Sequence, residues 1–168
     1  MPNEIRGRLP YLLLVFLTLV SDRWTKALID SRLFLNQTIP VIDGLLSITY
    51  VRNTGVAFGI LDSGPSSAKS TALAALTVAA IGGVLVYSWR TPLRLKLTQV
   101  ALSLILAGAV GNLYDRVRLG YVIDFIDVYY KTFHWPSFNI ADSAITVGVA
   151  LLALDMFRKD AHDPARVS

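Results

Sequence analysis

Apolar and polar positions divide the chain into four long hydrophobic runs and two mixed segments between them. The runs cover 9–29, 70–89, 97–114 and 139–157. As helices rising 1.5 Å per residue, each comes close to the roughly 30 Å of a hydrocarbon core. The first is the least regular, because Asp22, Arg23 and Lys26 interrupt its final third. The mixed segments, 30–69 and 115–138, change period. In "TIPVIDGLLSITYVRN" the pair Asp43-Gly44 separates two apolar stretches, which predicts a hairpin. Leu46, Ile48 and Tyr50 then alternate with Ser47 and Thr49, which predicts a half-buried strand with the apolar set inward. "GYVIDFIDVYY" is β-branched and aromatic and follows a turn-forming glycine, so a second strand region is expected there. "LDSGPSSAK" reads as loop and the tail 158–168 as cytoplasmic, ending in a disordered "DAHDPARVS". Small residues recur at helical spacing: Ala75, Ala79 and Gly83 in the second run, Ala107 and Gly111 in the third, Ala144 and Gly148 in the fourth. In lipid such stripes mark close helix packing.

Composition supports a membrane setting. Of 168 residues 54% are hydrophobic and only 17% charged, with mean hydropathy +0.52, against about a quarter charged in soluble domains. The net charge of +4 is not gathered into a nucleic-acid stripe; the basic residues sit at the ends of the apolar runs. Arg6 and Arg8 precede the first, Arg90, Arg94 and Lys96 separate the second and third, and Arg158 and Lys159 follow the fourth. With four spans these regions share one side, which their charge makes cytoplasmic. "RGRLPYLLLVFLTLVS" has the look of a secretory signal but lacks a small-residue cleavage site, so it is read as a retained span. The absence of cysteine excludes disulfides and thiolate chemistry, and His134 and His162 are too scattered for a metal site.

Chain parity then sorts the polar residues. The third run exits where the fourth begins, so Asp124 and Asp142 fall on the outer side, with Asn53 and the outer ends of Asp22, Asn112 and Arg116. Asn112 and Arg116, four apart, share a helical face. Asp155 lies about 20 Å from Asp142 by helical rise and cannot join the same site; a structural role, snorkelling or pairing with Arg158, is expected for it. Asp142 has a structural alternative as partner of Asn139 in a capping box, Asp127 reads as an ordinary polar sheet position, and Asp22 with Lys26 as an internal ion pair. Ser143 with His134, or Ser70 with Lys69, would make serine chemistry, but nothing else in the sequence joins them. Two carboxylates on one face suffice to hydrolyse a peptide: sharing a proton, one ionised member activates water while the other polarises the carbonyl. A proton relay through Asp22, Asp142 and Asp155, or a noncatalytic helical scaffold, are the competing readings.

"GNLYDR" (111–116), "VIDF" (122–125) and "FNIADS" (138–143), with "SDRWTK" (21–26) and "VRNTGVAFG" (51–59), closely resemble the signature blocks of the bacterial lipoprotein signal peptidase (signal peptidase II) family, in order over nearly the whole chain. The resemblance implies an α-helical integral membrane protein of one domain, with four transmembrane helices, a small extracytoplasmic β-sheet or cradle, and a short outer helix near "NTGVAFGIL". It implies an aspartyl endopeptidase of the bacterial inner membrane that cuts lipid-modified prolipoproteins just before the diacylglyceryl cysteine. Composition and charge placement lead to the expectation of no cofactor, no metal and no nucleic acid, and a monomer is expected. Asp124 and Asp142 then match the catalytic pair, Asn53, Gly108, Asn112, Arg116 and Asn139 the positions around it, and Asp22 and Lys26 the first-span pair. Phe58, Val122 and Phe125 are candidates to border the pocket. Arg116 either binds a substrate carbonyl or steadies a carboxylate; spacing leaves both open.

Overall fold

The computed structural model describes residues 2–55 and 67–160, with side chains from 5–55 and 71–158. The expected outer helix, Phe58, the side chains of Lys69 and Ser70, residues 61–66 of the expected 61–69 loop, and 161–168 with His162 lie outside the described residues; residues 67–69 are helical rather than loop, opening the second apolar helix. The described residues form, in order, α1 (Pro2–Arg32), β1 (Thr38–Ile42), β2 (Leu46–Asn53), α2 (Ser67–Arg90), α3 (Lys96–Leu119), β3 (Val122–Tyr130), β4 (Phe133–His134) and α4 (Ile140–Asp160). Helix α3 is central, with α1, α2 and α4 each packed on it. Among the described residues three helical stretches, Thr71–Arg90, Lys96–Leu119 and Ile140–Arg158, are long and apolar enough to cross a membrane.

The helices are apolar outside and polar within. On α1 the covered stripe runs Tyr11, Leu14, Thr18, Asp22, Lys26, Ile29, at helical spacing, while Leu12, Leu13, Phe16, Leu17, Val20 and Trp24 are exposed. This inverts the pattern of a helix in water. At one end of the bundle Arg8 donates to the last carbonyls of α2, Ser88 O (3.1 Å) and Trp89 O (3.0 Å), and lies over the Trp89 ring; a cation there complements the helix C-terminus. Asp155 belongs to this end too, where it accepts the Thr98 hydroxyl at 2.6 Å.

Glycine decides the α3–α4 crossing. A Cβ at Gly108 would stand 2.2 Å from Ala141 O, and one at Gly148 2.7 Å from Ala101 O. The expected stripes on these two helices are packed as well: Ala107 on α3 and Ala144 on α4 are buried, and a Cβ at Gly111 would stand 3.3 Å from Ala141 Cβ. That on α2 is not: Ala75, Ala79 and Gly83 are exposed, and nothing lies within 4 Å of a Cβ at Gly83. Helix α2 packs instead through a bulkier face that includes Leu73, Thr77, Ile81, Val84 and Ser88.

At the other end sits an antiparallel sheet ordered β1-β2-β3-β4. Gly44 takes the left-handed conformation (φ 77°) in the expected β1–β2 hairpin, and Gly120 (φ 82°) ends α3 and launches β3. Of the expected inward set on β2, Tyr50 is in the core and Ile48 packs against it. Ser47 and Thr49 are buried as well, Thr49 with its hydroxyl on Thr38 Oγ1 and Gln37 O within the sheet. The alternation also breaks. Ile48 pairs with Ile126 and Val51 with Asp124, so Thr49 and Tyr50 together face Phe125 across a β-bulge. From the bulge Tyr50 joins Ile29, Ile123 and Phe125 in the core beneath the sheet.

Candidate active site

Each polar side chain of the site is placed by a local device. Paired residues in a sheet project to one face; without the bulge Tyr50 and Arg52 would take the face of Asp124. The extra residue turns the strand so that Val51 and Asn53 lie on that face, and Asn53 Nδ2 donates to Asp124 Oδ2 at 2.8 Å. Asp142 is the third residue of α4, and the expected capping box is formed. Asp142 N–H donates to Asn139 Oδ1 (2.9 Å) while Asn139 N–H donates to Asp142 Oδ2 (3.2 Å). The cap is also part of the site, since Asn139 Nδ2 donates to Asp124 Oδ1 at 2.7 Å. One asparagine thus touches both carboxylates. Asn112, on α3, donates from Nδ2 to Asp142 Oδ1 at 2.7 Å.

Behind these groups lies a buried ion cluster. Lys26 Nζ faces Asp22 Oδ2 at 2.9 Å, Asp115 Oδ2 at 2.8 Å and Asn112 Oδ1 at 3.0 Å, and Arg23 pairs with Asp115. Asp22 Oδ1 accepts the Ala141 N–H at 3.0 Å, satisfying a further free donor in the first turn of α4. The expected Asp22–Lys26 pair is present and reaches further than a helix staple. Asp115 escaped the sequence reading although it is fully buried. Its signal was the 108–111–115 spacing, which carries Gly108, Gly111 and Asp115 along one face of α3; Gly111 leaves only 2.9 Å between its would-be Cβ and Asp22 Oδ2.

Asp124 and Asp142 line a cavity of about 790 Å³ whose wall also includes Asn53, Asn112, Arg116 and Val122. The wall continues along Trp135–Phe138 and down apolar residues of α2, α3 and α4, among them Leu76, Ile105 and Val147. Phe125 is a correction: it points to the opposite face of the sheet, into the Tyr50–Ile123 core. Gly108 is not among the lining residues; it sets the helix crossing behind Asp142. Arg116 donates to Asn112 O at 3.5 Å, and among the described residues no carboxylate pairs with it. Asp127 is a further correction, since it is buried and held by His134 Nδ1 at 3.0 Å rather than an ordinary polar position. Ser143 Oγ is spent on Asn139 O (2.9 Å), away from that histidine. Asp155 does not line the cavity.

Burial first, and then the charge of Asp142, push the Asp124 carboxyl up to about 7, against the hydrogen bonds of Asn53 and Asn139 and the positive charge of Lys26. Two acids in one pocket, bridged by Asn139 and bordered by the Arg116 guanidinium, form an arrangement able to handle a proton at neutral pH.

A model of the family described as Signal peptidase (SPase) II matches residues 14–158. The chain belongs to the signal peptidase II family. Among its relatives, the lipoprotein signal peptidase of Geobacter sulfurreducens is 54% identical over 143 residues, covering 85% of this chain and 88% of that protein. That of Pseudomonas aeruginosa is 46% identical over 162 residues and covers 94% of each. A solved bacterial membrane enzyme superposes with a TM-score of 0.83 at 34% identity, covering 92% of this chain and 91% of the other. A second gives 0.76 at 35%, covering 88% and 92%. The family match spans every element that contributes to the cavity, and the protein is a membrane peptidase of this family.

Proposed function

We propose that this signal peptidase II is an aspartyl endopeptidase that removes the signal peptide from diacylglyceryl-modified prolipoproteins, cutting before the lipidated cysteine. The observation that carries the reading is that Asp124 and Asp142 line one cavity and are bridged by Asn139. Asp124, with its carboxyl raised to about 7, is the proton-bearing member. Asp142, facing the Asn112 amide and the N-terminal turn of α4, is the ionised one. A water between them gives its proton to Asp142 as its oxygen bonds to the scissile carbonyl carbon, while Asp124 protonates the carbonyl oxygen. On collapse the C–N bond breaks, the nitrogen takes the proton from Asp142, and Asp124 regains its own. Arg116 offers its guanidinium to a substrate carbonyl, and Asn53, Asn112 and Asn139 hold the acids in register. The apolar wall running down from the acids suits a substrate whose lipid and signal helix stay in the bilayer, so that remote binding energy positions the bond.

The same reading makes α1 a fourth span. Its outward side is apolar and its charges turn to α3 and α4, the condition under which ionisable residues are tolerated at membrane depth. Both termini then lie in the cytoplasm and the site at the outer face of the bacterial inner membrane, in a single membrane domain acting as a monomer without cofactor or metal.

Asp124→Asn and Asp142→Asn proteins should insert and fold yet lose cleavage of a lipidated precursor by at least about 10²–10⁴-fold, read as the mobility shift of the released product. Wild-type cleavage by either variant removes the dyad. The wild-type rate should also fall as pH rises through about 7, where Asp124 gives up its proton; a rate flat from pH 6 to 9 would count against Asp124 as the acid.

A further inference from the structure

The most unusual group behind the cavity is Lys26. It is fully buried, and all three of its N–H donors have an acceptor: Asp22 on its own helix, Asp115 on α3, and the neutral Asn112 Oδ1. The third contact has a consequence beyond packing. An amide can face either way, and an oxygen turned toward Asp142 would repel it. With Lys26 on its oxygen side, joined there by Asn139 Nδ2 at 3.3 Å, Asn112 has only its Nδ2 to offer Asp142, and it does so at 2.7 Å.

The charges around the pair are few. Helix α1 brings Lys26 and Asp22, with Arg23 further out on Asp115; α3 brings Asp115 and Arg116; Asn53 on β2 is neutral. Asp22, Asp115, Lys26 and Arg23 sum to zero. Within that balance it is the cation that reaches an acid of the pair through a single side chain, by two hydrogen bonds across Asn112. The carboxylate of Asp22 faces the far side of Lys26 and the Ala141 N–H.

We infer that Lys26 is a positioning residue of the peptidase site: anchored by Asp22 and Asp115, it fixes the Asn112 amide against Asp142 and, through its charge, sets the pH range in which the acid pair works. This rests on the aspartyl-peptidase reading above. The direction is consistent with Lys26 acting to lower the Asp124 carboxyl against its burial.

The test compares pH–rate profiles for a lipidated precursor in nanodiscs. Removing Lys26 alone strands the buried Asp22 carboxylate and risks the fold, so Lys26 is altered only together with Asp22, and Asp22→Asn alone serves as the opposite shift. Asp22→Asn is isosteric, keeps an oxygen for Ala141 N–H, and leaves Lys26 less compensated. The double variant Asp22→Asn/Lys26→Met removes the cation while leaving the Arg23–Asp115 pair. Both limbs of the Asp22→Asn profile should move to lower pH than wild type. Adding Lys26→Met should move them back up past wild type, with about one pH unit between the two variants. Lower rates at every pH with limbs within about 0.2 unit of wild type in both variants would make Lys26 a scaffold residue only and overturn the inference. If the double variant does not fold, an unshifted Asp22→Asn profile overturns it alone. Failure of the underlying reading is separate, since it shows as cleavage by Asp124→Asn or Asp142→Asn.

Discussion

Asn139 carries three roles at one position: N-cap of α4, partner of Asp142 in the capping box, and donor to Asp124. Capping and chemistry are alternatives for Asp142 in the sequence alone; in the fold the residue that caps the helix with Asp142 also holds Asp124. Asp124 has a cost attached. Below about pH 4 its carboxyl is protonated in folded and unfolded chains alike and contributes nothing. From there to about 7 the unfolded chain ionises first, so each pH unit removes about 1.4 kcal/mol of stability at most. Above 7 the penalty is complete. Asp124→Asn escapes it but offers one oxygen where Asn53 and Asn139 each donate to a separate one. Wild-type melting temperature in micelles should therefore fall between pH 5 and 8 while that of Asp124→Asn stays nearly level. Parallel curves would show that Asp124 holds no proton in the folded state. The shared side of Asp124 and Asp142 was legible because parity needs only the order of the apolar runs, and the Asn139 cap because capping is a local rule. Asp115 was not, since its two cationic partners lie about ninety residues away on α1.

At the scale of elements, the α3–α4 crossing sets the depth at which Asp142 faces the cavity. Gly108→Ala would drive a methyl group into Ala141 O, one residue from Asp142, and backbone cannot yield as a flexible side chain does. A stability loss of about 1–3 kcal/mol is expected, with loss of cleavage well beyond what the remaining folded fraction explains. Gly83→Ala, on the exposed side of α2, should be neutral or slightly stabilising for the helix. Equal effects at the two glycines, in thermal shift and cleavage assays, would dissociate the crossing from the site. Small-residue spacing identified the stripes but not which were occupied, because that depends on how four helices are arranged around α3. The β2 bulge was equally hidden. Residues 46–50 alternate cleanly, and the extra residue is revealed only by pairing with β3.

For the molecule as a whole, apolar surface turned outward and charge turned inward is the organising feature, and it explains why α1 falls short of an apolar span by composition yet belongs to the bundle. The absence of cysteine makes sidedness directly measurable. Single cysteines placed at Arg6 and Arg94 should react with a membrane-impermeant maleimide only after cells are opened, and one at Asp43 in intact spheroplasts. A residue 6 cysteine labelled from outside would overturn the four-span reading. The bond from Asp22 to the Ala141 N–H joins positions 119 residues apart, and it implies an order of events during biosynthesis. A nascent chain that has threaded only its first three helices holds an acid with its natural recipient still inside the ribosome. On the aspartyl-peptidase reading, an unfinished copy travelling beside freshly exported precursors lacks Asp142 and has no blade to turn on them.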